Sequence, residues 1–505
     1  MKFALALFLA ALAAQAAPLK PVKTEGGLLS GVPAANGTIV AYKGVPFAAP
    51  PVGDLRWKAP QPALKWNGVK AADRFGANCV QNIVDSRAPW THEFMAHGET
   101  SEDCLYLNIW TPAAASREKR AVFVYLHGGA NTEGSGSVPV YDGEGLASKG
   151  LVMVTVNYRL GVFGFFTHPE LTRESAHNSS GNYALLDQLA ALRWVHDNIA
   201  AFGGDPGRVT VAGQSAGAAD IALLTVSPLA KGLFQREILE SGGSSFSGFG
   251  GARPLAAQEA EGVKFAELKG AHSLADLRAL SAKDLFAPVK GAPRFGPVLD
   301  GYVLQKSAKD AFAAGMENDV PTLAGSNADE NGASPQPNVD AARFEAQAKQ
   351  RYGSNAEAFL KLYPASDPNT SARDQARVSI LAWAAARQAT AKTPTYLYFW
   401  DHRLPGPESD KYGAFHTSEV PYVLNTLGKS DRAFTADDRR IADTLSSYWA
   451  NFAKTGNPNG KGLPPWPSVT DKPDMVMEIG DKDAPVPAAG STEKLKVLRE
   501  ALGTR

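Results

Sequence analysis

The chain has 505 residues, of which 51 are basic and 51 acidic, so its formal net charge at neutral pH is zero. Charges this balanced and evenly spread weigh against nucleic acid or an anionic membrane surface as the main partner. A hydrophobic content of 44% with 48 Gly and 34 Pro fits a loop-rich globular α/β protein with a sizeable core. Length alone would allow roughly three domains. No Pro/Gly/Ser linker, charge run or internal repeat offers a place to cut, so one large domain with insertions is expected.

The first residues read as a leader. Met1-Lys2 precede an apolar run from Phe3 to Ala13, and Ala14-Gln15-Ala16 is a small-x-small cleavage site. The run is too short to span a bilayer. Residues 1–16 are thus expected to be a removed signal peptide, leaving residues 17–505 as a soluble secreted or periplasmic domain. Cys79 and Cys104 are the only cysteines. In an oxidising compartment they are expected to pair, which contributes on the order of 3 kcal/mol in the chain-entropy model; two buried free thiols are the alternative. Neither has a CxxC or metal-ligand neighbour.

Residues 23–46 alternate in short segments with turns at Gly26-Gly27 and Asn36-Gly37, the pattern of an N-terminal antiparallel hairpin. A proline-rich irregular stretch, Gly44 to Trp57, follows. SEDCLYLNIWTP holds a strand from Leu105 to Trp110, ended by Pro112. Glu102 and Asp103 need partners if buried. Arg56 is one option, and a solvated carboxylate pair is the other. Ala121 to Leu126 is continuously apolar, as in the middle of a parallel sheet. It runs into His127-Gly128-Gly129-Ala130. Neither GxGxxG nor GxxxxGK[ST] is present, so the loop matches the HGG oxyanion loop of serine hydrolases better than a phosphate cradle.

A strand is expected from Leu151 to Tyr158, then a loop carrying Gly161 to Pro169. Asn182 to Phe202 has Leu185, Leu189, Leu192, Val195 and Ile199 at helical spacing. Val209 to Ala212 reads as a buried strand, followed at once by Gly213-Gln214-Ser215-Ala216-Gly217 and an Ala/Leu-rich helix. A serine between strand end and helix start, with glycine two residues to each side, is a nucleophile elbow. Ile238 to Gly243 looks like the next strand and its end, 251–292 like a helical cap-type insertion, and Pro321 to Gly325 like a further strand. The loop Ser326 to Gly332 carries Asp329 and Glu330. Tyr396 to Trp400 is the last clear strand, and the loop beyond it contains His416. Strands alternating with helices give a mostly parallel sheet whose strand C-terminal ends build the site.

A serine hydroxyl needs a base, and the base an orienting carboxylate. Of the nine histidines, His127 reads as an ordering residue of the oxyanion loop and His196 lies within a helix. His92, His97, His168, His177, His272 and His402 lack a strand-end context. His416 occupies the slot that the order Ser…acid…His requires. Asp329 and Glu330 both lie where the acid belongs.

The segments YKGVPFAAPPVGDLRW, SEDCLYLNIWTP, HGGANTEGSGS, NYRLGVFGF, GNYALLDQLAALRWVHDNIAAFGGDPGRVTVAGQSAG, PVLDG, SNADENG and GAFHTSEVPYV together resemble the type-B carboxylesterase family, which includes the cholinesterases. The resemblance implies the α/β-hydrolase fold over nearly the whole mature chain. It places the nucleophile on Ser215, the base on His416 and the acid on Glu330. It puts the oxyanion donors on the backbone N–H of Gly129, Ala130 and Ala216. It also implies a Cys79–Cys104 disulfide and an Arg56–Glu102 ion pair. Three departures bear on function. Ala130 stands where many members have glycine, which costs roughly 1–2 kcal/mol only if the position is left-handed. Gln214 replaces the glutamate that cholinesterases carry before the serine. The choline-binding tryptophan before EDCL is absent, Trp90 lying further upstream, where it could belong to the core.

The expectation is therefore a serine hydrolase of neutral carboxylic esters rather than choline esters, acting through an acyl-enzyme on a small-molecule substrate, with no cofactor or metal implied. An amidase or thioesterase of the same mechanism and a non-catalytic esterase-like binding module are the alternatives. Oligomeric state and the identity of the ester stay open. The acyl and alcohol pockets are assigned to loops 86–98, 244–300 and 405–415.

Overall fold

The computed structural model describes residues 20–35, 37–112, 116–242, 251–330, 340–366, 368–406 and 409–502. The expected leader at 1–16, Asn36 of the second hairpin turn, Gly243, positions 331–332 of the acid loop and parts of the two later pocket loops lie outside the described residues.

Eleven strands form the central sheet. In chain order they are β1 (Val32–Pro33), β2 (Val40–Pro46), β3 (Tyr106–Thr111), β4 (Arg120–Leu126), β5 (Val152–Val156) and β6 (Gly204–Gln214). They continue with β7 (Arg236–Glu240), β8 (Thr322–Asn327), β9 (Thr395–Trp400), β10 (Met475–Ile479) and β11 (Ala484–Pro487). Across the sheet the order is β11-β10-β9-β8-β7-β6-β4-β5-β3-β2-β1. Every neighbouring pair from β10 to β5 is parallel, and the flanks are antiparallel. The parallel strands are covered on both faces, so β5, β8 and β9 are buried at every residue and carry no polar alternation.

The N-terminal hairpin forms as expected, Val22 facing Leu29 and Lys23 facing Leu28, and β1 with β2 makes a second antiparallel pair. The helix expected over 182–202 is α1 (Tyr183–Asn198), tightened into a 3₁₀ turn at Ile199–Phe202 and ended by Gly203 at φ +80°. Strand β6 is longer than expected because Gly204 already pairs with Arg120 before a register shift resets the ladder at Val209.

Two expectations need correction, and a third, the helical insertion, holds. Gly161 to Pro169 is not simply a loop: Gly161–Phe165 is helical, and Pro169, suited to a first helical position, opens a helix to Glu174. Tyr396–Trp400 is not the last strand. β10 continues the parallel sheet from Met475, a five-residue run between charged turns and too short to stand out by pattern. Residues 251–292 are three helices, α2 (Leu255–Leu268), Leu274–Ala279 and Ala282–Phe286, preceded by a short extended pair in which Arg253 faces Val298.

One hydrophobic cluster runs from Leu29 to Leu498. A second, built on Trp57, Phe166, Tyr183, Phe265 and Leu277, joins the helical insertion to α1 and the 163–171 segment. The two bodies meet closely where α2 crosses the 166–168 segment: a Cβ on Gly262 would lie 1.7 Å from the Thr167 carbonyl oxygen. No side chain fits there. Gly262→Ala is expected to destabilise by roughly 1–3 kcal/mol or more through forced separation of the insertion, visible as a lower thermal midpoint in calorimetry. An unchanged midpoint would mean that α2 is free to shift.

Candidate active site

In a doubly wound sheet, ligands bind outside the strand C-terminal ends at the point where strand order reverses. Here β4 has β5 on one side and β6 on the other. The ends of β4 and β6 deliver His127-Gly128-Gly129 and Gly213-Gln214-Ser215 to that point.

Ser215 links β6 to α3 (Ala216–Thr225) at φ +56°, ψ −119°. This is a sparsely populated conformation for a residue with a Cβ. The surroundings hold it there. The Ser215 N–H donates to the Glu240 carbonyl at 2.8 Å, and the Ser215 carbonyl accepts from Ala219 N–H at 2.9 Å. A Cβ on Gly213 would lie 2.8 Å from the Gly217 carbonyl carbon and the Leu126 oxygen, and one on Gly217 would lie 2.2 Å from the Leu126 oxygen. The glycines at both ends of the elbow are therefore steric requirements. The N–H groups of the first turn of α3, Ala216 among them, have no acceptor within the helix and point their partial positive charge toward the serine end.

The loop after β4 wraps the same point. Gly129 is at φ +106°, with only 2.1 Å between an added Cβ and the Glu133 carbonyl oxygen. Ala130 is left-handed at φ +54°, so the substitution of alanine for glycine here carries strain of roughly 1–2 kcal/mol. His127 has the ordering role read from sequence. It is buried, its Nδ1 lies 2.8 Å from the Gly128 carbonyl, and its ring stacks on Tyr158 at 4.3 Å. Burial pushes its pKa down to about 4, so it is neutral. Asn131, at φ +59°, donates to Asp220 on α3 at 3.0 Å and ties the loop to the helix that follows Ser215.

His416 and the two candidate acids separate cleanly. His416 Nδ1 meets Glu330 Oε2 at 2.5 Å, and the other Glu330 oxygen accepts from Asn327 N–H at 2.7 Å. Asp329 faces away from the imidazole. It accepts from Ala414 N–H at 2.9 Å and pairs with Arg373 at 3.2 Å, bracing the histidine loop rather than the ring. Burial works against the charged imidazole of His416, but the adjacent Glu330 carboxylate outweighs it and raises the pKa above 6.5. Burial likewise opposes the charge on Glu330, and His416 overcomes it, holding the carboxyl below its ordinary value. His416 Nε2 lies 3.2 Å from the Gln214 side-chain nitrogen. Among the described residues it makes no hydrogen bond to Ser215.

Ser215 and His416 line one cavity of about 260 Å³ together with Gly129 and Ala130. Of the three pocket loops expected from sequence, only 86–98 contributes to this lining among the described residues, through Arg87, Trp90 and Phe94 to Ala96. Trp90 packs against the core and also forms part of the cavity wall. Its Nε1 donates to the His416 carbonyl at 3.1 Å and to Thr417 Oγ1 at 2.7 Å. No local pattern in the sequence marks this role. Cys79 and Cys104 are bonded, and Arg56 and Glu102 form two parallel hydrogen bonds of 2.6 Å beside them. The third nitrogen of Arg56 donates to the carbonyls of Leu277, Arg278 and Leu280, fastening the helical insertion.

A family model described as the Carboxylesterase family matches residues 19–377 and 369–498. The chain belongs to that family. It is 38% identical over 490 residues to the fumonisin B1 esterase of Sphingopyxis macrogoltabida, covering 91% of this chain and 86% of the relative. It is 36% identical over 512 residues to the para-nitrobenzyl esterase of Bacillus subtilis (strain 168), covering 95% and 99%. A solved PNB esterase superposes with a TM-score of 0.77 at 32% identity, covering 95% of this chain and all of that one. The α/β-hydrolase fold follows, and with it a serine carboxylesterase that hydrolyses carboxylic esters.

Two further carboxylates lie buried behind the imidazole of this carboxylesterase. Glu240, at the end of β7, accepts from Trp449 Nε1 at 2.7 Å and from the Tyr125 hydroxyl at 3.2 Å, and burial pushes its pKa up to about 8. Glu419 accepts from Asn327 Nδ2 at 2.5 Å while its Oε1 has no partner; burial and then the charge of Glu240 raise it to about 8. Both are thus protonated in the folded enzyme where the unfolded chain, with ordinary values near 4.5, has released the proton. The native state holds more protons between these limits, so stability falls as pH rises from about 4.5 through 8. Urea midpoints measured across this window are expected to decline. The Glu240→Gln/Glu419→Gln enzyme should show a shallower decline, and an equal slope would remove these two acids as its source.

Proposed function

We propose that Ser215, His416 and Glu330 act as nucleophile, base and orienting acid in the hydrolysis of neutral carboxylic esters, with the backbone N–H of Gly129, Ala130 and Ala216 as oxyanion donors. The observation that carries this reading is the 2.5 Å His416–Glu330 pair opening onto the cavity that also holds a backbone-strained serine. His416 Nε2 exchanges its contact with Gln214 for the serine hydroxyl when substrate fills the cavity, since such hydrogen bonds tighten in the substrate complex. It takes the proton as Ser215 attacks the carbonyl carbon, and Glu330 stabilises the imidazolium. His416 then returns the proton to the leaving alcohol. Water, activated by the same imidazole, cleaves the acyl-enzyme. Each oxyanion donor lost is worth roughly 2.7–4 kcal/mol of transition-state stabilisation.

Neutral substrates are supported by the charges at the cavity. Arg87 and Glu133 pair with each other, and the residue before the nucleophile is the uncharged Gln214. The proposal includes export, supported by the disulfide, which persists in oxidising compartments. It also includes a single domain over 17–505, supported by the cluster that runs from Leu29 to Leu498.

The test is turnover of p-nitrophenyl acetate, butyrate and octanoate, with a matched acetanilide beside the acetate. A pre-steady-state burst is expected, with preference for the ester. Ser215→Ala should lower kcat by about 10⁴-fold or more. Full turnover by that variant would end the covalent-serine reading, and equal rates on the anilide would favour the amidase. The pH profile supplies a second check. The base must be neutral, so kcat/KM should rise with pH through a midpoint above 6.5. Glu330→Gln removes the attraction that raises His416 and should move that limb to lower pH as well as slowing turnover. A limb that stays in place would show that another group sets it.

A further inference from the structure

The loop closed by the Cys79–Cys104 disulfide has two faces. One lines the cavity; the other carries Asp85, His92 and His97. One ligating atom from each of these three lies within 4.8 Å of the other two, and no other group of three His, Cys, Asp or Glu does so among the described residues. Asp85 Oδ1 is 2.8 Å from His92 Nδ1, and His97 Nε2 is 2.8 Å from the His92 carbonyl. The imidazoles lie face to face, centroids 3.8 Å apart and 17° between planes. We propose that Asp85, His92 and His97 bind a borderline divalent transition cation, of which Zn²⁺ is the representative.

The chemistry of the donors selects the ion. Two imidazole nitrogens and one carboxylate oxygen suit Zn²⁺, Cu²⁺ or Ni²⁺ and not the oxygen-seeking Ca²⁺ or Mg²⁺. Ligand atoms about 2.0–2.2 Å from a tetrahedral Zn²⁺ sit roughly 3.3 Å from one another. Asp85 and His92, 2.8 Å apart, must therefore open slightly while the wider separations close in. The His92 and Asp85 side chains are 64% and 81% exposed, so they do this by rotating in solvent, with no core to repack. A carboxylate in the set offsets part of the ion's charge, and water fills the remaining position.

The site reaches the active centre through one residue. Between the ligands, Arg87 and Trp90 exchange N–H···O hydrogen bonds of 2.8 Å in both directions. Trp90 in turn donates to the His416 carbonyl. An ion joining Asp85 to His97 clips the segment that holds Trp90 against the histidine loop. Its first effect is to stiffen that wall of the cavity, and this binding step does not depend on the catalytic roles proposed above.

The test uses the full chain stripped with EDTA and titrated with ZnCl₂ in a calorimeter, with thermal midpoints recorded alongside. One equivalent should bind and raise the midpoint by about 2 °C or more. His92→Ala/His97→Ala alters two side chains outside the cavity lining, so its metal-free midpoint and ester turnover should match the parent. In that variant the Zn²⁺ affinity should fall at least about tenfold and the midpoint rise should vanish. His416→Ala should keep both. The proposal is overturned if the parent binds no Zn²⁺, if the double variant binds as tightly as the parent, or if His416→Ala is the change that abolishes binding.

Discussion

The site depends on a backbone contact that only glycine permits. The last carbonyls of β4 come so close to Gly217 that an added Cβ would lie 2.2 Å from the Leu126 oxygen and 2.7 Å from the His127 oxygen. This approach fixes the distance between the loop after β4 and the turn after β6. The two segments that face the cavity, Gly129-Ala130 and Ser215-Ala216, are therefore placed by parallel strand pairing rather than by side-chain packing. For the oxyanion role proposed above, this means donors set in place before substrate arrives, which is where most of such a hole's value lies. The strain at Ser215 and Ala130 is held by the same ladder, which is too cooperative to relax at one residue.

The histidine side is assembled differently. His416 sits in a loop, and its position is set by polar contacts from several elements. Asp329 holds Ala414, Asn327 Nδ2 donates to the Phe415 carbonyl at 2.8 Å, and Trp90 takes the carbonyl of His416 itself. Adjacent acids thus divide the work. Asp329 holds the backbone of the His416 loop and Glu330 holds the His416 ring.

How much of this was legible in the sequence follows from the range of the interaction involved. The elbow could be read because its constraint is local: strand, glycine, serine, glycine and helix are consecutive. The continuous apolar runs of β4 and β9 announced buried parallel strands for the same reason. β10 escaped because five residues flanked by charges carry too little pattern. The choice between Asp329 and Glu330 could not be made from spacing, since adjacent residues at a turn point in different directions and only the fold shows which one meets the imidazole. Resemblance pointed to Glu330, and the geometry pairs the same residue with His416. Trp90 could not be placed from sequence at all. Its partner is 326 positions away, and nothing local marks it.

That long-range hydrogen bond has a consequence for how this enzyme can diversify. The indole is a wall of the pocket and, through its N–H, a support for the backbone of His416. Changes at position 90 that reshape the space for a new ester also remove a prop from the backbone of His416. Selectivity and turnover are mechanically tied at this one side chain. Lineages adapting to bulkier or smaller substrates have a freer route through Met95, which lines the same space, than through Phe94, whose ring packs on Phe415 beside His416 at 6.0 Å.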